Sequence, residues 1–506
     1  MWYTCPLMSS TPAEASAPAL HEEHHDSRVK VARNALNLVL GQVATTVLAV
    51  LLSAALGRKL GPADFGLYFL LLTTSQFTLI VVEWGQMLFV VREMSRAGAS
   101  VGRYLGTSLA LRAAGAGVAF APVALITWAW GYDLRTGVLA GLFVLASLPF
   151  SLAQAFGMAF RGREQMGKDA AVAVANKAVV LALTLAALGA GMGVPGVMIA
   201  QGVAGLVAFG LALRLYTCLG AGKLEVSRAT AREVLVGGAP IVLMMITVSV
   251  QPYLDVILLS HLAPREVVGW YGAAKNIMGT LISPAMIIAA AWYPRLSRVS
   301  GDLPAFKREL RAAVRPMLWL GALGGLGTWE FADFAIGLIY GLQKFGPAVD
   351  VLRVFGIGLF LLFADVLLGH VITAAGRSFG FSMGKIVSVV VAVGLQLWLI
   401  PWFQANQGNG GIGVVVAFAA SEIIVFATVV YLLPRGSLGP ILLVDVARAA
   451  GAAVLCGVVW RYLPEMHALV GIPVLVALFT AASMAVGLMG RSDLSLLLAT
   501  VRKKKA

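Results

Sequence analysis

The chain has 506 residues, 59% of them hydrophobic and 12% charged, with a formal net charge of +14. Apolar runs long enough to cross a bilayer, about 20 residues each, follow one another along nearly its whole length. That excludes a soluble enzyme and marks a polytopic membrane protein. In such a chain, 38 Lys+Arg against 24 Asp+Glu points to loop orientation rather than to nucleic acid.

Residues 1–30 are expected to form a polar cytoplasmic tail. It gathers His21, Glu22, Glu23, His24, His25 and Asp26, a composition that reads as disordered in preference to metal-binding. No signal peptide with a positive start, an apolar run and a cleavage site opens it, and Met8 is a second candidate start. Cys5, Cys218 and Cys456 lie far apart without CxxC spacing, so neither a disulfide framework nor a metal site is expected.

Fourteen spans follow, at 34–56, 66–91, 104–130, 137–160, 170–190, 195–218, 234–259, 267–293, 314–336, 350–374, 379–401, 412–433, 441–462 and 470–490. The expected fold is therefore all-α, with about 14 transmembrane helices. The loops alternate in charge. One side carries Arg28, Lys30 and Arg33, then Arg92, Arg96 and Arg103, then Arg161, Arg163 and Lys168, and later Arg295, Arg298, Lys307, Arg308 and Arg311. Against these the other side has Arg58, Lys59, Arg135, Arg265 and Lys344. The asymmetry predicts that both termini are cytoplasmic, and an even number of spans agrees. Trp128 and Trp130 fall at an outer edge, as interfacial aromatics do. Residues 295–311, with Pro304 as a helix start, read as a short amphipathic helix on the inner leaflet or as a plain basic loop.

The sequence repeats itself. Gly66-Leu67-Tyr68 opens the second span and Gly269-Trp270-Tyr271 the eighth, at an offset of 203 residues (271 − 68) that also pairs Arg92 with Arg295 and Arg112 with Arg315. Later, Met166-Gly167-Lys168 meets Met383-Gly384-Lys385 at an offset of 217 (385 − 168). The slip fits an insertion near Tyr340–Asp350. Six spans separate the copies, so the repeat is parallel, about an axis along the membrane normal, as in transporters whose substrate path runs between two halves. The expected domains are a six-helix bundle at 31–220, a second at 230–435, two further helices at 440–490 and a basic cytoplasmic tail at 491–506.

The segment Gly57-Arg58-Lys59-Leu60-Gly61-Pro62-Ala63-Asp64-Phe65-Gly66-Leu67-Tyr68, after a first span opening Arg33-Asn34-Ala35, resembles the polysaccharide flippases of the multidrug/oligosaccharidyl-lipid/polysaccharide exporter superfamily. Val91-Arg92-Glu93, Leu254-Asp255-Val256-Ile257-Leu258, Val268-Gly269-Trp270-Tyr271-Gly272-Ala273-Ala274-Lys275 and Tyr293-Pro294-Arg295-Leu296-Ser297 extend the likeness over about residues 30–435. The resemblance implies two six-helix bundles around a central cavity that flip a lipid-linked oligosaccharide, usually on undecaprenyl pyrophosphate, across the inner (cytoplasmic) membrane by alternating access. It implies surface-polysaccharide biosynthesis (lipopolysaccharide or exopolysaccharide), with a polymerase and glycosyltransferases as partners. It implies no enzyme activity and no prosthetic cofactor, and H+ or Na+ coupling.

Ionisable residues inside spans are costly and are functional candidates by default. Glu83 and Arg112 lie nine residues from Arg92 and Arg103 across one hairpin turn, so they are level in adjacent antiparallel helices. Asp365 and Lys385 are level about the turn near Ala375. Asp255 and Lys275 flank the turn near Pro264, offset by roughly 5 Å at 1.5 Å per residue. Each pair serves either packing or gating. Lys177 and Arg315 have no hairpin partner, and Glu83 has Met286 as its counterpart in the second half. Snorkelling to the headgroups is the alternative for both cations. A polyprenyl pyrophosphate would need fixed cations, which makes Lys177, Lys275, Arg315 and Lys385 the substrate-binding candidates. Glu83, Arg112, Asp255, Asp365 and Glu422 are the coupling or gating candidates. Gln42, Gln76, Gln154, Asn176, Gln251 and Asn276 either bond sugar hydroxyls or pack helices. Pro149, Pro240, Pro252, Pro284 and Pro316 can kink their helices.

Three other readings compete. A multidrug/cation antiporter of the same superfamily usually has twelve spans and acids in its ion site, whereas the first span here has no acid. A peptidoglycan-precursor flippase shares fourteen spans and a cationic cavity. A membrane polymerase or ligase needs a large outer loop, and the longest here is 337–349.

Overall fold

The computed structural model describes residues 17–95, 100–220, 222–299, 301–374, 376–433, 440–464 and 466–489. Cys5, Met8 and the basic tail at 491–506 lie outside them. Among the described residues the chain forms sixteen helices and no strand. In a membrane this follows from the backbone, because helices satisfy every N–H and C=O within the segment.

The first half holds α1 (Ala17–Glu83), α2 (Gln86–Met94), α3 (Val101–Ala129), α4 (Leu134–Gly162), α5 (Met166–Gly189) and α6 (Gly193–Thr217). The second holds α7 (Arg228–Leu262), α8 (Arg265–Leu281), α9 (Ser283–Arg298), α10 (Leu303–Ile339), the one-turn α11 (Leu342–Phe345), α12 (Ala348–Ala374), α13 (Ser378–Gln407) and α14 (Gly410–Leu432). Two more, α15 (Pro440–Trp460) and α16 (Ala468–Ala485), close the described chain. Helix α1 begins at Ala17, inside the segment expected to be a disordered tail. Past Pro18, residues 19–33 carry no Pro or Gly, so nothing there breaks a helix.

Among the described residues twelve segments are long and apolar enough to cross a membrane, and two features bring the crossings there to fourteen. The 58-residue segment Asn37–Met94 would reach about 87 Å if straight, far beyond a hydrocarbon core of about 30 Å. It reverses at Gly61, whose φ of 77° and ψ of 174° suit a residue without Cβ. The reversal is visible in the packing: Leu38, Gly41, Gln42 and Thr45 line the same cavity as Glu83 and Met87. Helix α10 is the other. Arg315, Glu330 and Asp333 make it less apolar than the twelve, yet its 37 residues pack along α12, α15 and α16.

No separate amphipathic helix forms at 295–311. Arg295 and Arg298 end α9, and Asp302 caps α10 by accepting from the Ala305 amide at 3.2 Å. The basic segment is thus the end of one helix and an extension of the next.

The two halves meet about Gly66 and Gly269. A Cβ on Gly66 would lie 2.1 Å from the Arg265 carbonyl oxygen, and one on Gly269 would lie 2.1 Å from that of Pro62. Both contacts connect residues that the 203-residue offset pairs, so the approach is reciprocal, as a twofold axis along the membrane normal requires. Glycine at both positions lets two backbones touch. Helix α1 also meets α10 and α11 here, through Arg58 donating to the carbonyls of Leu338 and Ile339. These contacts gather on the far face, opposite the basic loops. Helices α15 and α16 pack on each other and on α10, at the rim of the second half.

Candidate functional site

A cavity of about 330 Å³ lies inside the first half, bounded by α1 to α5. Its polar lining includes Gln42, Thr45, Glu83, Arg112, Gln154, Arg161 and Asp169, and it reaches the basic-loop face at Arg161, which pairs with Asp169 at 2.7 Å. Arg112 is its fixed cation. The guanidinium donates to Glu83 Oε1 at 3.0 Å, Gln86 Oε1 at 3.0 Å and the Ser151 carbonyl at 2.7 Å. With 1% of its side chain exposed, it draws on α1, α2 and α4 at once.

Lys177 extends this site. Asp169 and Ala173 line the cavity from α5, and Lys177 continues the same stripe at i+4, one turn deeper. It is partly buried and, among the described residues, forms no ion pair or hydrogen bond.

Two networks occupy the second half. Lys385 bridges three helices, holding Asp365 on α12 at 2.8 Å and Glu422 on α14 at 3.3 Å. One ammonium thus faces two carboxylates, and Asp365 Oδ1 and Glu422 Oε2 are buried without a hydrogen-bond partner. Nearer the far face, Asp255 accepts from Gln396 Nε2 at 2.7 Å and from the Tyr271 hydroxyl at 3.2 Å, with Lys275 Nζ at 3.8 Å. Lys275 donates instead to the Pro252 carbonyl at 2.7 Å and sits 5.0 Å from the Tyr271 ring centre.

Arg315 lies elsewhere. Its Nε is 3.7 Å from Asp445 on α15, and its Nη2 donates to the Gly487 carbonyl at 3.0 Å. The structure therefore groups Glu83 with Arg112, Lys385 with Asp365 and Glu422, and Lys275 with Asp255; Lys177 lies one turn beyond the α5 residues that line the first cavity, and Arg315 lies outside all three groups. Among the amides, Gln42 and Gln154 line the cavity, Asn276 donates to Ser53, Gln251 donates to Ser421, Asn176 is buried and Gln76 is exposed. Sequence reasoning missed Asp169, Gln86, Ser151, Gln396 and Asp445. For Asp445 there was a signal, an acid and Arg448 at i+3 in an otherwise apolar span.

On the far face a latch joins the halves. Arg265 Nη2 is 3.5 Å from Asp133 Oδ1 and 3.4 Å from the Thr136 hydroxyl, and the Tyr132 and Ser260 hydroxyls are hydrogen-bonded. The Thr136 hydroxyl foremost, and the Arg265 guanidinium after it, hold Asp133 below the usual carboxylate range against the opposing effect of burial. Burial pushes the Tyr132 phenol up.

The profile of a family described as "Polysaccharide biosynthesis protein" matches residues 31–300, more than half of the chain. The chain belongs to the polysaccharide biosynthesis protein family. Known structures extend the likeness of this family member past the profile. The lipid II flippase MurJ, in an inward closed conformation, aligns with a TM-score of 0.71 at 13% identity, over 89% of this chain and 98% of that one. An inward-facing multidrug resistance MATE family transporter of the MOP superfamily aligns at 0.63 with 15% identity, over 76% and 93%. A MOP superfamily transporter from Pyrococcus furiosus aligns at 0.56 with 15% identity, over 80% and 94%. These likenesses show a shared transporter fold. No curated protein matches the sequence.

Proposed function

We propose that the protein flips a polyprenyl-pyrophosphate-linked oligosaccharide across the cytoplasmic membrane by alternating access, for surface polysaccharide biosynthesis. The observation that carries this reading is Lys177. It is an unpaired cation in a membrane-spanning helix, on the stripe that lines a polar cavity. Such a group is costly unless an anion meets it, and a pyrophosphate leaving water needs that charge. Gln42, Gln154 and the Glu83–Arg112 pair supply donors and acceptors for sugar hydroxyls.

The charge of the basic loops supports a cavity mouth and both termini on the cytoplasmic side. Glycosyltransferases would hand over cargo there, and a polymerase would take it on the far side. Release requires the reciprocal glycine contact and the Asp133–Arg265 latch to part. The excess carboxylate at Lys385, shared by Asp365 and Glu422, is the place for a coupling H+ or Na+.

The test is leaflet-resolved transfer in proteoliposomes of a labelled undecaprenyl-pyrophosphate oligosaccharide, beside the same glycan on a neutral lipid. Faster transfer of the pyrophosphate cargo than in empty liposomes, with little of the neutral one, is expected. Equal transfer of both sinks the cationic path. Exchange of drugs or cations in place of either supports an antiporter.

A further inference from the structure

Asp445 stands near the start of α15 and is fully buried. Three guanidinium groups converge on it. Arg311 forks onto both oxygens, Nε to Oδ2 at 2.8 Å and Nη2 to Oδ1 at 3.2 Å. Arg448 reaches Oδ1 at 3.4 Å, and Arg315 stands 3.7 Å away. One carboxylate satisfies one guanidinium in this bidentate manner, so two positive charges remain over. Their donors are not spent: among the described residues Arg315 hydrogen-bonds through Nη2 alone, to the Gly487 carbonyl, and Arg448 makes the single contact to Asp445.

The cluster lies where α10, α15 and α16 meet, at their basic-loop ends. The side chains of Arg311, Arg315 and Arg448 are 39%, 29% and 37% exposed, and Leu443 and Val444 beside them are open on the outside of the bundle. Free snorkelling would leave each arginine to find a headgroup alone. Here a buried carboxylate fixes all three in one place, next to apolar surface. Basic pockets between transmembrane helices on the cytoplasmic side hold anionic headgroups.

We propose that this cluster binds the phosphate of an anionic phospholipid from the adjoining leaflet. The phosphate takes the spare donors of Arg315 and Arg448, the acyl chains run past Leu443 and Val444, and the lipid ties the C-terminal helix pair to α10. The site is separate from the transport cavity and does not depend on the proposed cargo.

The experiment is native mass spectrometry of the full chain in detergent, with phosphatidylglycerol and phosphatidylcholine of identical acyl chains. One phosphatidylglycerol is expected to be held about tenfold tighter than phosphatidylcholine. Arg448→Gln removes the preference, Arg448→Lys keeps most of it, and Arg308→Gln, outside the cluster, leaves it unchanged. Asp445→Asn frees more donors, so it keeps phosphatidylglycerol at least as tightly while melting lower in phosphatidylcholine, and phosphatidylglycerol restores part of that loss. Equal retention of both lipids by the wild type overturns the proposal. So does an unchanged preference in a folded Arg448→Gln protein, or an Asp445→Asn loss that neither lipid restores. Displacement by equimolar undecaprenyl phosphate overturns the phospholipid assignment and gives the site to a polyprenyl lipid.

Discussion

Arg112 in the first half and Arg315 in the second occupy the same place in the repeat, and they are held differently. Arg112 is sealed inside its own bundle, on Glu83, Gln86 and Ser151. In the second half Met286 takes the place of Glu83 and is half exposed. Without an acid there, Arg315 turns to Asp445, on a helix added after the repeat. Each arginine has a carboxylate beside it, supplied from within the bundle in the first half and from the added helix in the second. The first half is left with the polar cavity, and the second with a docking point for α15 and α16.

The largest test of this contrast is Glu83→Ala. It strands a guanidinium that is 1% exposed, and the expected cost is about 3–5 kcal/mol, read as a fall in melting temperature in detergent. Arg315→Ala should cost about 1 kcal/mol or less, because the group is 29% exposed and Asp445 keeps two other partners. Equal losses would break the comparison.

Asp445→Ala comes next, at about 2–3 kcal/mol for the charged hydrogen bonds lost. The damage should be local. Amide exchange should rise across 440–489 while α3 and α4 stay protected, and uniform exchange would show that the C-terminal pair is integral to the bundle.

At the axis the halves should behave alike. Gly66→Ala and Gly269→Ala each push a methyl to 2.1 Å from a backbone oxygen of the other half, and each is expected to cost about 1–3 kcal/mol. Markedly unequal melting losses would contradict the reciprocal contact.

The smallest effect is that of pH on the latch. Asp133 is held below the usual carboxylate range, so its contribution is complete above that range and is lost as pH falls through the lowered value. Spin labels at Arg135→Cys and Glu266→Cys should keep their separation at neutral and mildly acidic pH and move apart only in stronger acid. With Asp133→Asn added, the wider separation should appear at every pH.

Hairpin arithmetic explains what the sequence made legible. Glu83–Arg112 and Asp365–Lys385 are level about their turns and are bonded at 3.0 and 2.8 Å. Asp255 and Lys275, expected to be offset, reach 3.8 Å. Glu422 had no level cation across the turn expected between 401 and 412, yet α13 runs on to Gln407 and sets Ser388 against the Ser421 carbonyl, which brings Lys385 to 3.3 Å from Glu422. Arg311 and Arg315 with Asp445 span the whole second half, and no local register connects them. The cavity depended on where Gly61 reverses the chain and which helix faces then meet, which no single span reveals.

On the proposed function, Lys177 in the first half meets the charge of the cargo. This role is tested most directly by transfer of undecaprenyl-pyrophosphate oligosaccharide in proteoliposomes, comparing Lys177→Ala with Arg315→Ala at matched protein levels. Lys177→Ala is expected to abolish transfer, and folded Arg315→Ala to keep most of it. Full transfer by Lys177→Ala, or loss in Arg315→Ala alone, would contradict that role.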